Sequence, residues 1–376
     1  MNQGIEEHAA HRAARMSGLR SNQMIKLHQH ATAVFLLPTE RIVARVSSVG
    51  HLSRLTTSVT LTRWLTNSGV PATEPADLEQ PVLAEGHVVT FWRHYPQPTP
   101  KSTPNAEHLG RLLRQLHQLP QPPITLPKWT PLTSFTQTLA HANSVPDTQK
   151  DWLATRAHEL IATFEELDYA LTPGLVHGDA YPGNCLWDGD HVLLGDWDEA
   201  AVGPREVDLA NTYQGQRFGR TAAELETFGR TYGYDITSWP GLPMLIGIRD
   251  IHTLSSYIRR ADMGNAAAAH ELGRRIATLQ RDDTAANWKA ARAAPDFAFP
   301  EGAKPEAELQ EMQFPVQGRR SAGRGGLGER AGDHEGSEGD LGAVASGGQQ
   351  YRRAHDSAGR HAALSRRAGA PGSSRG

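Results

Sequence analysis

The chain has 376 residues, with 38 Lys and Arg against 41 Asp and Glu and a formal net charge of -3. That length supports one large or two medium domains, and the near balance of charge supplies no field that would recruit nucleic acid or an anionic membrane. The single cysteine, Cys185, excludes an intramolecular disulfide and a cysteine metal cluster. With a polar N-terminus and no apolar run near 18 residues, the reading is a cytoplasmic protein.

In chain order, residues 1–18 are polar and read as a loose lead-in. From Met24 three short apolar runs, MIKLHQ, TAVFLL and RIVARV, are separated by polar residues as in an antiparallel meander. A helix-period stretch follows, with Leu52, Leu55, Val59, Leu61, Trp64 and Leu65 tending to one side, and NSG then Pro71 close it. PVLAE and HVVTFW resume the strands, so residues 19–95 form a small sheet with one helix. Four prolines in YPQPTPKSTPN mark 96–105 as a connector. Beyond it Leu109, Leu112, Leu113 and Leu116 line one face of a helix between Pro104 and Pro120. Further helices are predicted over 152–167, 222–233, 242–261 and 266–291, so residues 106–310 form a mainly helical lobe and the fold class is α+β. From Gln317 the chain is rich in glycine and poor in large apolar residues. Such a composition cannot offset the entropy of ordering, and 311–376 is predicted to be a disordered tail.

The interruption in the helical lobe carries the chemistry. GLVHGD reads as a strand running into a tight turn and HVLLGDWD as a second strand, with Asp188, Gly189 and Asp190 as the hairpin between them. On that reading Asp179, Asn184, Asp196 and Asp198 deliver oxygen ligands to one small volume, which suits Mg²⁺. His177, Asp179 and Asn184 reproduce the H-x-D-x-x-x-x-N spacing of phosphoryl-transfer enzymes, with Asp196 at the position of the metal-binding aspartate that follows. In that template the first aspartate accepts the acceptor hydroxyl's proton, while the asparagine and second aspartate hold metal.

The segment resembles the aminoglycoside phosphotransferase and choline kinase-like family, through VHGDAYPGN, LLGDWDEA, GPREVDLAN, HLGRLLRQLHQL and GVPATEP. The resemblance spans about residues 20 to 290. It implies a two-lobed protein-kinase-like fold, ATP or GTP as phosphate donor, Mg²⁺, and a hydroxylated small-molecule acceptor such as an aminoglycoside, amino alcohol or sugar. No nucleic-acid or membrane partner is implied. It places Asp179 and His177 at the catalytic turn, His177 packing and hydrogen-bonding to hold the loop. Asn184, Asp196 and Asp198 become metal ligands, and Arg45, Phe91 and Arg93 nucleotide-binding residues. Asp208 is expected to brace the turn or cap the following helix.

Three departures stand out. The strand lysine of the family's relatives is Arg45, which can fork to phosphate but is not equivalent to lysine. No Asp or Glu occurs between Arg41 and Thr73, so the helix acid expected near Ser58 is absent and Arg54 and Arg63 stand on that helix instead. HQHATAV between the first two strands contains no glycine. A weak or inactive nucleotide-binding regulatory protein of the same fold is therefore an alternative. A metal-dependent phosphoesterase is another, although the chain's only D-x-H, Asp250 to His252, falls late and within a helical stretch.

Overall fold

Two-residue alternation gives the N-terminal sheet two buried faces, and different elements cover each. The computed structural model describes residues 3–29, 32–98 and 103–288. The chain begins with a helix, α1 (Gln3–Met16), where the sequence predicts a loose lead-in. Its buried face consists of Ala9, Ala10, Ala13 and Ala14, all fully enclosed. Alanine favours helix and lets a helix lie close to a sheet, but it gives little contrast in an apolar-periodicity reading.

The strands β1 (Ile25–Gln29), β2 (Ala33–Leu37) and β3 (Ile42–Ser48) form the predicted meander. Helix α2 (Leu52–Asn67) follows, then β4 (Val82–Ala84) and β5 (His87–Arg93). The sheet order is β1-β2-β3-β5-β4, antiparallel throughout. Ala33, Phe35, Leu37, Ala44, Val46, Val89 and Phe91 cluster with the alanines of α1. Val34, Leu36, Val43 and Trp92 occupy the opposite face with Val59 of α2. Arg45 pairs with Val34 on one side and Thr90 on the other, so it shares that second face.

The second lobe starts at α3 (Ala106–His117), whose N-cap Asn105 forms a reciprocal capping box with His108. Helices α4 (Thr133–Ala140) and α5 (Asp147–Glu166) lead to β6 (Gly174–Val176). The predicted hairpin is differently composed. Pro182–Asn184 form a 3-10 turn that ends the first run, and β7 (Cys185–Asp188) is the strand that pairs with β8 (His191–Leu194). Strand β6 pairs instead with β9 (Ala201–Gly203). Gly189, at φ +60°, supplies the left-handed residue of the β7–β8 turn.

Helices α6 (Glu206–Gln214), α7 (Ala222–Tyr232), α8 (Leu242–Asp262) and α9 (Ala266–Gln280) complete the lobe. Their apolar faces form one large core with α3, α5 and β6. The helix predicted to reach 291 ends at Gln280, and 289–291 lie outside the described residues, as do the centre of the proline connector and the predicted disordered tail. Near the end Arg275, 1% exposed, lies 4.1 Å over the ring of Tyr257 and 4.7 Å over that of Trp288. The Trp288 indole donates to Thr278 Oγ1 at 3.1 Å, which ties the segment after α9 back onto that helix.

Candidate active site

The turn after β6 is fixed by a buried carboxylate from α6. Asp208 is fully buried; its Oδ2 accepts from the His177 N–H at 2.7 Å and its Oδ1 from the Gly178 N–H at 2.8 Å. His117 of α3 donates its Nε2–H to Oδ2 at 3.0 Å, while its Nδ1 meets the Tyr232 hydroxyl at 2.8 Å. Burial alone would raise the Asp208 carboxyl, but the bond and charge of His117 and the His177 contacts outweigh it and hold the pKa below the usual carboxylate range. Asp208 thus braces the His177–Asp179 turn, the first of the two roles the sequence allows.

Gly178 has φ +83°, and a Cβ there would overlap the Glu199 carbonyl, so the centre of His-Gly-Asp requires glycine on both grounds. His177 is fully buried, with its Nε2–H donating to the Gly195 carbonyl at 2.9 Å and Nδ1 accepting from the Asp179 N–H at 3.3 Å. Its ring lies 4.6 Å from that of Trp197. Both nitrogens serve the backbone, so His177 is a positioning residue for the loop and not a group that meets an acceptor.

Asp179 follows and lines a cavity of about 650 Å³. Its Oδ1 accepts from Arg249 Nη2 of α8 at 2.6 Å and from Asn211 Nδ2 of α6 at 3.4 Å. Those bonds fix the carboxylate's orientation. Arg249 has no motif signal of its own, and Asn211 closes the GPREVDLAN motif without that motif assigning it a partner; they lie 70 and 32 positions downstream, and only the packing of α6 and α8 brings them to Asp179.

Asn184 donates its Nδ2–H to the Asp179 carbonyl at 2.9 Å, leaving the amide oxygen as an acceptor. The Gly195 N–H donates to the Asn184 carbonyl at 2.8 Å, so Asn184 and Asp196 leave the β7–β8 hairpin at the same end. Asp196 adopts φ +61°, ψ +62°, a conformation that costs a non-glycine residue about 1–3 kcal/mol and concentrates at functional sites. Asp198, two residues on, lines the cavity; its Oδ1 is buried without a hydrogen-bond donor. The amide oxygen of Asn184 and the carboxylates of Asp196 and Asp198 are hard donors that fit Mg²⁺. Among the described residues no three His, Cys, Asp or Glu side chains form a metal cage.

The nucleotide residues separate. Arg45, 4% exposed, places Nη2 3.2 Å from Asp198 Oδ2 and 3.4 Å from Asp196 Oδ1. The basic strand residue is thus joined across the lobes to the two acids expected to hold metal. Phe91, expected beside it, is fully buried on the α1 face of the sheet, because it is one residue out of phase with Thr90 and Trp92. Arg93 stands at the exposed edge, 3.2 Å from Glu74 and 3.5 Å from Asp188 and 5.0 Å over the Tyr95 ring, engaged by its own surroundings.

On α2, where the family's relatives carry an acid, Ser58 is buried with its hydroxyl unpartnered. Arg54 reaches the other lobe instead, bonding Glu199 at 2.8 Å. The D-x-H pair of α8 divides: Asp250 is buried against Arg217 and Gln214, while His252 lines the cavity. Cys185 is a buried thiol pushed up to about 12 by burial, which leaves it a small apolar residue.

A small antiparallel sheet set over a helical lobe, with Asp179, Asn184 and Asp196 gathered on two turns beside one hairpin, is the protein-kinase-like arrangement. Residues 25–245, more than half of the chain, match the family described as APH, phosphotransferase enzyme family, and the chain belongs to it. Among solved structures it is similar to an amicoumacin kinase in complex with AMP-PNP, Ca²⁺ and Ami, at 14% identity and a TM-score of 0.60, covering 72% of this chain and 91% of that one. It is also similar to a choline/ethanolamine kinase family protein from Mesorhizobium loti, at 16% identity and a TM-score of 0.53, covering 75% and 96% of the two chains. The choline kinase LicA from Streptococcus pneumoniae aligns at 12% identity and a TM-score of 0.51, covering 73% and 100%. These likenesses fix the fold. Comparison with curated proteins gives no match.

Proposed function

We propose that the protein transfers the γ-phosphate of ATP or GTP to a hydroxyl of a small molecule. The observation that carries this reading is Asp179, oriented by Arg249 and Asn211 in the lining of a cavity that Asp198 also lines. Oδ1 of Asp179 is occupied by those donors, so Oδ2 orients the acceptor hydroxyl and receives its proton as the oxygen attacks phosphorus. Asn184 and Asp196, with Asp198, would hold Mg²⁺, which when bound offsets the charge developing on the phosphate oxygens. Arg45 on β3, paired with Asp196 and Asp198, would supply the strand cation for the phosphates.

The absent helix acid favours an inactive nucleotide-binding protein, but its task is not left open. In the kinase pattern a helix Glu holds the strand cation in place. Here Asp198 lies 3.2 Å from Arg45 and supplies the opposite charge from the other lobe. The test is transfer from radiolabelled ATP to a panel of hydroxylated amines, sugars and antibiotics. Wild type should label an acceptor and Asp179→Asn should not; equal labelling by both proteins would remove the basis of the reading.

A further inference from the structure

We propose that the acceptor cavity selects an uncharged, polyhydroxylated molecule over a polycationic amine. This rests on reading the cavity as the phosphate-acceptor site, and it concerns the charge and hydrogen-bonding class of what enters there. A polycation needs carboxylates with charge to spare. Three carboxylates line the cavity, and each has an arginine: Asp179 with Arg249 at 2.6 Å, Glu199 with Arg54 at 2.8 Å, and Asp198 with Arg45 at 3.2 Å. Lys128, at the rim, makes no ion pair among the described residues. His252 adds no acid, and burial and Arg249 lower its pKa to about 4, so it is neutral at pH 7. An ammonium entering this space meets carboxylates that each already hold a guanidinium, with Lys128 as a further cation, so little of its lost hydration is replaced.

What the wall offers freely is neutral hydrogen bonding. Ser58 is 2% exposed, lines the cavity, and has a hydroxyl with no partner in the protein. A buried hydroxyl left unmade costs about 1–3 kcal/mol, which a ligand hydroxyl that reaches it would recover on binding. Ser134 and Gln137 of α4 line the same space with no side-chain bonds within the described protein. Trp129, set against Phe164 at 5.2 Å between ring centroids, adds an apolar face on which the C–H side of a sugar-like ring can rest. Hydroxyls and an aromatic surface, with every acid matched, are the terms on which a neutral polyol is recognised.

The experiment titrates the full chain with matched probes that differ in charge: kanamycin A against its fully N-acetylated form, and glucosamine against glucose. Isothermal titration in low salt reads binding without any transfer step. The neutral member of each pair should bind about tenfold more tightly, and Ser58→Ala should weaken it about fivefold. The same substitution should leave the melting temperature unchanged or raised, because the hydroxyl it removes has no partner to lose. Tighter binding of the cationic members, no saturable binding of either neutral probe, or an unaltered neutral-probe affinity in Ser58→Ala would each overturn the inference. Failure of the proposed activity looks different: the neutral preference persists while no phosphate is transferred to any acceptor.

Discussion

Replacing Asp208 by Asn tests how the catalytic turn is supported, since that carboxylate joins three elements. Its oxygens accept three bonds, from His177 N–H at 2.7 Å, Gly178 N–H at 2.8 Å and His117 Nε2–H at 3.0 Å. Asn keeps one acceptor oxygen, best placed to retain the His177 and His117 donors, and turns its NH₂ toward the Gly178 N–H. One charge-assisted bond is lost, two donors oppose each other, and the remaining bonds lose their charge. At about 1.5–3 kcal/mol for a bond to a charged group, the total cost is about 3 kcal/mol. For a domain of this size about 1 kcal/mol moves the melting temperature by about 2–3 °C, so a fall of about 6–9 °C is expected. Circular dichroism melts at pH 7 measure it.

The pH dependence gives a second reading of the same variant. The folded carboxyl titrates below its ordinary value, so its contribution is complete above the unfolded pKa and is lost as pH falls through the folded one. The stability gap between wild type and Asp208→Asn should be constant above about pH 5 and close below about pH 4. Phosphate transfer should fall at least about tenfold, since Gly178 carries Asp179 into position. A melting temperature within about 1 °C of wild type would refute the reasoning, because it would mean that this buried acid contributes nothing over an amide.

Arg249→Met removes the guanidinium that orients Asp179; kcat should fall about tenfold to a hundredfold with nucleotide KM little changed, and a change confined to nucleotide KM would contradict the assignment. His94 and His252 have their pKa lowered to about 4, first by burial and then by Arg41 and Arg249 respectively. A histidine depressed on folding binds fewer protons than the unfolded chain between its two pKa values. Stability measured by urea unfolding should therefore decrease as pH falls from about 6.5 to about 4, by up to about 3 kcal/mol per histidine, and His94→Gln should shallow that slope. Trp288→Ala removes the ring over Arg275 and the bond to Thr278 and should cost about 3 kcal/mol in the same assay. Truncation after about residue 310 keeps that anchor and should leave both melting temperature and activity intact.

Much of the architecture is visible in the sequence because large apolar residues mark it. The three-strand meander, α2, α3 and the later helices each carry Leu, Val or Ile at the required period. The first helix escapes notice because its buried face is only alanine, and the hairpin's first strand is misassigned because β7, which follows the 3-10 turn at Pro182, pairs with β8, whereas the GLV run of β6 pairs with β9. At the site, Asp179, Asn184 and Asp196 stand out through local spacing alone. Phe91 misleads because a strand's alternation does not say which face the core lies on, and both faces of this sheet are buried. Arg249 and Arg54 have no local pattern to announce them, and although Asn211 and Glu199 lie within the GPREVDLAN and LLGDWDEA motifs, their partners are set by contacts across many residues. The Ser58 position reads as a missing acid in sequence and as an unpartnered hydroxyl in the cavity wall in structure.

The central proposal separates nucleotide binding by the metal-site residues from acceptor activation by Asp179, and isothermal titration with Mg²⁺ and AMP-PNP addresses that division directly. Wild type and Asp179→Asn should bind the nucleotide with similar affinity, Asp196→Ala should bind at least about tenfold more weakly, and of the three only wild type should transfer phosphate efficiently. Absence of nucleotide binding by wild type at millimolar concentration, or binding that is indifferent to Asp196→Ala, would contradict the account.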